Sequence, residues 1–399
     1  MPSINNNKDI PSAMTLTQKI YGLLNIGDHV SARNVVKTEL AKLDAGVGDE
    51  KIINQSKLYG FLIDIGNESQ TESDLTEAIS FMKVNQVLLS NGTSKPYYYY
   101  NLANAVDGAA RIFYFHNRGI HQLDVQKQRL QESIQYYWTA LNSVSNDHNL
   151  RVQISINLSS ALIVVGRGVE AVQFQDEVLA IAPKYPQALI SRADHLSWIW
   201  RYTNCAPTVA MFMQIHHNYD DGINTTTLPP HVLQRTTAQR ALLRKEIEDR
   251  GFTLADSKKE ISETKMEFSR HTPYRKYCIQ KYLTLNEHGI YCGCVANEKD
   301  DLRIGVHFGA FRSEVLPKLE LLLNRLKSEF AFARWSYYNS LDQEMPLEFD
   351  VLYSDLLENE VITPKMELMR SSFRICYGIL DKIALGVCKL FNVPAKRIH

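Results

Sequence analysis

Residues 157–183 read NLSSALIVVGRGVEAVQFQDEVLAIAP, and this stretch decides the fold class. Apolar side chains return every three or four positions through Leu158 and Leu162, and again through Ala171 and Val178, which is the spacing of a buried helix face. Gly166 stands where the two runs meet, ready for the left-handed backbone that ends a helix, and Pro183 closes the second run. Asn157, Leu158, Leu162, Gly166, Ala171, Val178 and Pro183 together predict a helix–turn–helix pair in an all-α protein.

The same pattern extends outward as a tetratricopeptide-like series. A looser copy begins at Tyr100-Asn101-Leu102-Ala103 and resumes after an insertion containing Gly119, with Ile134, Tyr137, Ala140 and Leu141. A third, stretched copy uses Leu58 and Gly60, then Ala78 and Phe81. No single pair buries its own apolar face, so neighbouring pairs stack and leave a concave surface for a protein partner. The competing reading is an irregular helical domain without a groove. The run Tyr97 to Tyr100 is read as inter-helix filling, with an aromatic binding strip as the alternative.

These signals divide the chain into a disordered start at 1–13, helical repeats at 14–202, connecting helices and loops at 203–275, and a C-terminal region at 276–399. Thr225-Thr226-Thr227-Leu228-Pro229-Pro230 marks a break before a charged helix at His231 to Arg250, and Ser257 to Arg270 reads as a solvated connecting helix. Short runs such as Tyr282-Leu283-Thr284-Leu285 and Arg303-Ile304-Gly305-Val306 are candidates for extended backbone. Beyond them, Leu316, Leu319, Leu323, Leu326, Phe330, Ala333 and Tyr337 form one apolar seam. Met369, Phe373, Cys376, Leu380, Ile383, Val387 and Leu390 form a second, stopped by Asn392 and Pro394. The two seams are expected to face each other as half of an antiparallel bundle.

Composition narrows function by exclusion. The 399 residues carry 44 Lys+Arg against 44 Asp+Glu, so any nucleic-acid contact is a local patch rather than a basic surface. The polar opening and the shortness of the longest aliphatic stretch, Ala161 to Val165, lead to the expectation of a cytoplasmic protein without a membrane span. Six cysteines in this length are expected as reduced thiols. No GxxxxGK[ST], HExxH, GxSxG or GxGxxG motif occurs, which removes support for phosphate cradles, zincins, serine-hydrolase elbows and dinucleotide sites. No cofactor is expected. Cys278, His288, Cys292 and Cys294 are of zinc-ligating type, but C-x-C is atypical spacing, and ordinary buried thiols are preferred, with no metal assigned. His216-His217 beside Asp220-Asp221 is read as a polar turn, since adjacent side chains diverge.

At the two seams the residues carry a resemblance. Lys327-Ser328-Glu329-Phe330-Ala331-Phe332-Ala333-Arg334 and Ser372-Phe373-Arg374-Ile375-Cys376-Tyr377-Gly378-Ile379-Leu380-Asp381-Lys382-Ile383-Ala384 resemble a bacterial HEPN-domain family with tetratricopeptide-like helices at the N-terminus. Tyr274-Arg275-Lys276-Tyr277 to Leu285-Asn286 is similar to the segment before that domain. The resemblance implies a helical bundle that dimerises and, in many members, acts as a metal-independent RNase in stress response or phage defence through an R-x(4–6)-H pair. The histidine would move a proton at the ribose or leaving oxygen, and the arginine would stabilise charge on the phosphate.

In the C-terminal region no Arg has a His five to seven residues downstream, so the bundle is expected to be incomplete and intrinsic RNase activity is not assigned. The spacing does occur at Arg111 to His116 in the repeats, but chance produces about two such matches in a chain like this, and it reads as helical packing. Arg334, Arg374 and Lys382 are candidate RNA-phosphate contacts, against which stand ion pairs on the bundle surface. The bundle seam is assigned to Leu319, Leu323, Leu326, Phe330, Phe373, Cys376, Leu380, Ile383 and Val387. The expectation is therefore an RNA-targeting defence or stress component whose repeats bind a protein partner and whose seamed helices form a homodimer, with RNA as a further candidate partner. The alternative is a non-catalytic interaction scaffold.

Overall fold

Capping residues start the helices where the sequence places them. Thr15 accepts from the Gln18 amide at 3.2 Å while the Gln18 side chain accepts from the Thr15 amide at 3.0 Å, a reciprocal box that satisfies two otherwise unpaired donors. Asp147 and Thr363 accept from the amides three residues on in the same manner. The computed structural model describes residues 15–44, 48–116, 120–202, 208–225, 228–254, 256–303, 315–341 and 363–392. Among these the chain is helical and contains no strand. The expected disordered start at 1–13 lies outside them, as does residue 304 onward in the run from Arg303.

Two compact units are present. The first comprises Met1–Trp198 with Ile215–Leu242, and the second Ile199–Gln214 with Leu243–His399. The first contains α1 (Leu16–Asn25), α2 (His29–Asp44), α3 (Asp49–Glu68), α4 (Glu72–Val84), the short α5 (Gln86–Leu89), α6 (Lys95–His116), α7 (Ile120–Ser143), α8 (His148–Val164) and α9 (Gly168–Ile181). Three helices contribute to both units: α10 (Pro186–Tyr202), α11 (Val209–Thr225) and α12 (Pro230–Asp249). The division falls inside α10, α11 and α12.

In the first unit each helix packs on its neighbour in sequence from α1 to α4, then α4 on α6 and onward to α9. The diagnostic pair is α8 and α9. Gly166 at φ +85° ends α8, with its amide bonded to the Ile163 carbonyl at 3.1 Å and the Arg167 amide to the Leu162 carbonyl at 2.9 Å. This pair of bonds is the Schellman closure that only a left-handed residue permits. Leu158, Leu162, Ala171 and Val178 are buried on the shared face. In the looser copies Leu58, Ala78, Leu102, Ala103, Ile134, Tyr137, Ala140 and Leu141 are buried as well. Tyr98 is buried, and Tyr99 packs against Tyr98 and Tyr136, so this part of the tyrosine run fills space between helices. A polar clamp ties α2 to the turn before α4: Arg33 donates to Asp74 at 2.6 Å, Ser69 at 2.8 Å and Thr71 at 2.9 Å.

The second unit contains α13 (Asp256–Arg270), α14 (Pro273–Gln280), single-turn helices at Glu287–Ile290 and Val295–Glu298, and the long pair α15 (Val315–Ser340) and α16 (Pro364–Leu390). Phe212 is held here edge-on to Trp200, 4.8 Å between centroids, with the Arg250 guanidinium 4.6 Å from its ring. The run Tyr282 to Leu285 forms no strand. Tyr282 turns the chain at φ +55°, after which the Leu283 carbonyl accepts from Arg334, the Leu285 amide donates to Asp300 and the Leu285 carbonyl accepts from the Leu302 amide.

At the α3–α6 crossing a methyl group on Gly108 would have to displace the Asn67 side chain. A Cβ on Gly108 would lie 1.7 Å from Asn67 Oδ1 and 3.1 Å from Leu75 Cδ1. Gly108→Ala is expected to destabilise the first unit by about 1–3 kcal/mol in urea unfolding. Unchanged stability would contradict this crossing.

Candidate functional site

One half-buried carboxylate ties α14 to α15. Asp300 Oδ1 accepts from Arg275 at 2.9 Å and from the Leu285 amide at 3.1 Å, while its Oδ2 accepts from Arg334 at 2.9 Å. Arg334, on α15, also donates to the Leu283 carbonyl at 2.5 Å and the Tyr274 hydroxyl at 2.9 Å. Burial pushes the Asp300 carboxyl up, but the bond and charge of Arg334, joined by Leu285 and Arg275, outweigh it and leave the pKa below its ordinary value. A further link is Lys327 on the Leu302 carbonyl at 3.1 Å. Through these contacts the irregular segment 283–302 positions α15.

The two seams do not answer each other. Toward α15, α16 presents Ser372, Ile379 and Gly386, which recur every seven residues and are buried. A Cβ on Gly386 would lie 2.9 Å from Leu322 Cδ2, so the helices meet over small residues. Of the expected seam residues, Phe373, Leu380 and Val387 lie one position further on, about 100° round the helix, and Cys376 and Ile383 lie about 40–60° round it; all five are exposed. Phe373 is 69 % exposed, Tyr377 61 % and Leu380 62 %. On α15, Leu326 is buried and Leu319, Leu323 and Phe330 are half-buried, whereas Phe332 and Trp335 are exposed and stacked on each other. The period of the second seam was legible, but the Ser372/Gly386 spacing was the signal for which face turns inward.

The three candidate phosphate contacts have different surroundings. Arg334 is buried in the Asp300 network, so its guanidinium has a structural partner in place of a phosphate. Lys382 reaches across to both Glu329 oxygens at 2.6 and 2.5 Å, an ion pair joining α16 to α15. Arg374 is exposed and, among the described residues, makes no ion pair.

A second candidate site lies in the first unit. A cavity of about 490 Å³ is lined by Asp64, Asn67, Tyr100, Asn104, Arg111 and Asn157, among others, and a neighbouring one of about 570 Å³ shares Asp64, Tyr100, Asn104 and Asn157. Asn104 organises the wall: its Oδ1 accepts from Tyr137 at 2.7 Å and Asn157 at 2.9 Å. Arg111 is engaged by Asp107 at 2.7 Å and the Ser160 carbonyl at 3.0 Å, which agrees with a packing role; the side chain of His116 lies outside the described residues. Burial, aided by Glu68, pushes the Asp64 carboxyl up to about 7. Burial also pushes the Tyr100 hydroxyl up to about 12. The wall therefore offers amides, hydroxyls and a carboxyl that changes charge near neutrality. Sequence spacing carried no sign of it, because its residues come from α3, α6 and α8.

Of the cysteine and histidine candidates, His288, Cys292 and Cys294 converge, their ligand atoms all within 4.8 Å of one another. Cys278 does not join them; it is buried beside Tyr274 and Arg334. The Cys292 side chain lowers the Cys294 thiol pKa by hydrogen bonding, assisted by His288, and the same bond raises that of Cys292. The pair His216 and His217 lies within α11, not in a turn. Asp220 is paired with Arg240 at 2.5 Å, and neither histidine forms a metal cluster among the described residues.

Asp300→Ala leaves two buried guanidinium groups without their shared anion, and a loss of about 3–5 kcal/mol is expected. Because the native pKa is depressed, this stabilisation is present above the unfolded carboxyl pKa of about 3.9 and fades as pH falls through the lower native value. Thermal unfolding from pH 7 to pH 2 measures it; equal stability of variant and wild type at pH 7 would refute the anchor. Asp64 has the opposite sign. The folded chain retains a proton that the unfolded chain releases, so stability falls as pH rises from about 4 through about 7. Asp64→Asn is expected to stabilise the first unit more at pH 8 than at pH 5; the same difference at both would contradict the shift.

No curated protein matches the chain. Residues 311–399, the segment that holds both α15 and α16, match the family model LA2681-like HEPN, which bears out the resemblance read from Lys327–Arg334 and Ser372–Ala384.

Proposed function

We propose that this protein is a HEPN-type component of an RNA-targeting defence or stress-response system, assembled as a homodimer through α16. The observation that carries the proposal is the exposed stripe Phe373, Tyr377, Leu380, Ile383 and Val387 on a helix within the HEPN match. A contiguous apolar stripe of this kind seeks a partner surface, and a two-fold pairing of identical stripes closes on itself. Fully burying one such side chain contributes about 1.5–3 kcal/mol, so a few of them support association at micromolar concentration.

The repeat-like unit supplies the second contact. Its cavities, lined by Asp64, Tyr100, Asn104 and Asn157, favour a polar protein segment able to donate hydrogen bonds. Arg374, an exposed cation on α16, is retained as an RNA-phosphate contact, whereas Arg334 and Lys382 serve the bundle. With no Arg–His pair at the family's spacing in residues 276–399, the chain acts by assembly and recruitment rather than by cutting RNA with these residues.

Light scattering at tens of micromolar is expected to give a dimer for the wild-type chain and a monomer of unchanged helix content for Leu380→Asp, since that side chain is outside the monomer's core. A wild-type monomer, or an unaffected dimer in the variant, would refute the seam. Structured RNA is expected to remain uncut at high protein excess and to bind more weakly to Arg374→Glu. Cleavage by this chain would overturn the non-catalytic part of the reading.

A further inference from the structure

The turn between α14 and α15 brings three metal-ligating side chains together without any other task assigned to them. His288 belongs to the single-turn helix Glu287–Ile290, Cys292 follows it, and Cys294 caps the next one at Val295. Cys294 Sγ lies 3.6 Å from His288 Nδ1. A tetrahedral zinc with a bond of about 2.3 Å to sulfur and about 2.05 Å to nitrogen requires an S···N edge of about 3.6 Å. The spacing therefore fits ligands shared by one ion.

The surroundings hold this turn in place from outside. His271 Nε2 reaches the Gly293 and Cys294 carbonyls at 3.2 and 3.1 Å, and Asn297 donates to the Cys292 carbonyl at 2.5 Å. Asn286 fixes the start of the His288 turn by accepting from its amide at 2.8 Å. Thr264, on α13, lies 3.8 Å from Cys292 Sγ, within sulfur hydrogen-bond reach. Outer partners of this kind orient ligands before the ion arrives. Charge also balances, because two thiolates and a neutral imidazole cancel a divalent cation, and that suits a turn in which Cys292 is buried.

We propose that His288, Cys292 and Cys294 form a zinc site, with the fourth position taken by water or another exogenous ligand. Two thiol protons leave for solvent as the ion binds. The site acts as a clip. It fixes the turn that runs on to Asn297 and Asp300, whose contacts with Arg275 and Arg334 hold α15. The proposal is independent of the dimer and RNA readings.

The test uses the reduced full-length chain and metal alone. Zinc content by mass spectrometry is expected at one ion per chain. Replacement by Co²⁺ is expected to produce a thiolate charge-transfer band in the near ultraviolet and the intense visible bands of tetrahedral cobalt. Cys294→Ser and His288→Ala should lose the ion, Thr264→Val should weaken zinc binding by about tenfold, and Cys278→Ser should retain both ion and spectrum. Removal of zinc by a chelator is expected to lower the melting temperature. A folded, reduced wild-type chain that retains neither ion overturns the proposal, as does a native Cys292–Cys294 disulfide or a cobalt spectrum unchanged in Cys294→Ser. The wild-type measurement is decisive even where a variant fails to fold.

Discussion

A helix can bury only the stripe that its neighbours cover, and the C-terminal pair shows the consequence. The contact between α15 and α16 runs over Ser372, Ile379 and Gly386, and the missing side chain at Gly386 lets Leu322 of α15 approach closely. That choice commits α16. Its large apolar residues Phe373 and Leu380 stand about 100° round the helix and Tyr377 about 140–160° round it, and all three remain in solvent. Lys382 and Glu329 then lock the rotation with an ion pair across the helices. The exposed stripe is therefore a product of the internal packing and not an accident of composition.

The same unit places its buried charges economically. Asp300 serves two arginines from different helices, so each guanidinium finds an anion where solvent is scarce. The segment that carries Asp300 is short and irregular, with its backbone groups satisfied by Asn286, Asn297 and Arg275 rather than by a sheet. Such a segment has little apolar area of its own. A divalent ion bound by His288, Cys292 and Cys294 would supply the missing cross-link close to where α15 is gripped.

Much of the helical architecture was legible in the residues. Gly166 and Pro183 marked the α8–α9 pair because left-handed backbone and a missing amide have few other uses at those spacings. The rotation of α16 was not legible, since a three-and-four period identifies an apolar face without saying what covers it. Ser372 and Gly386 carried that information. The cavity around Asn104 was hidden for another reason: its wall joins residues from separate helices, each an ordinary polar residue in its own segment. The His288 cluster lay between. Its residue types were visible, but only the turn geometry shows that Cys278 is elsewhere and the other three converge.

Cys376 lies on the exposed stripe and offers a native probe of whether α16 is an interface. The alkylation rate of this thiol, followed by mass spectrometry from nanomolar to high micromolar chain, tests the claim directly. The account predicts a rate that falls as concentration rises and a return to the fast rate in Leu380→Asp. A fast rate independent of concentration in the wild-type chain would contradict it.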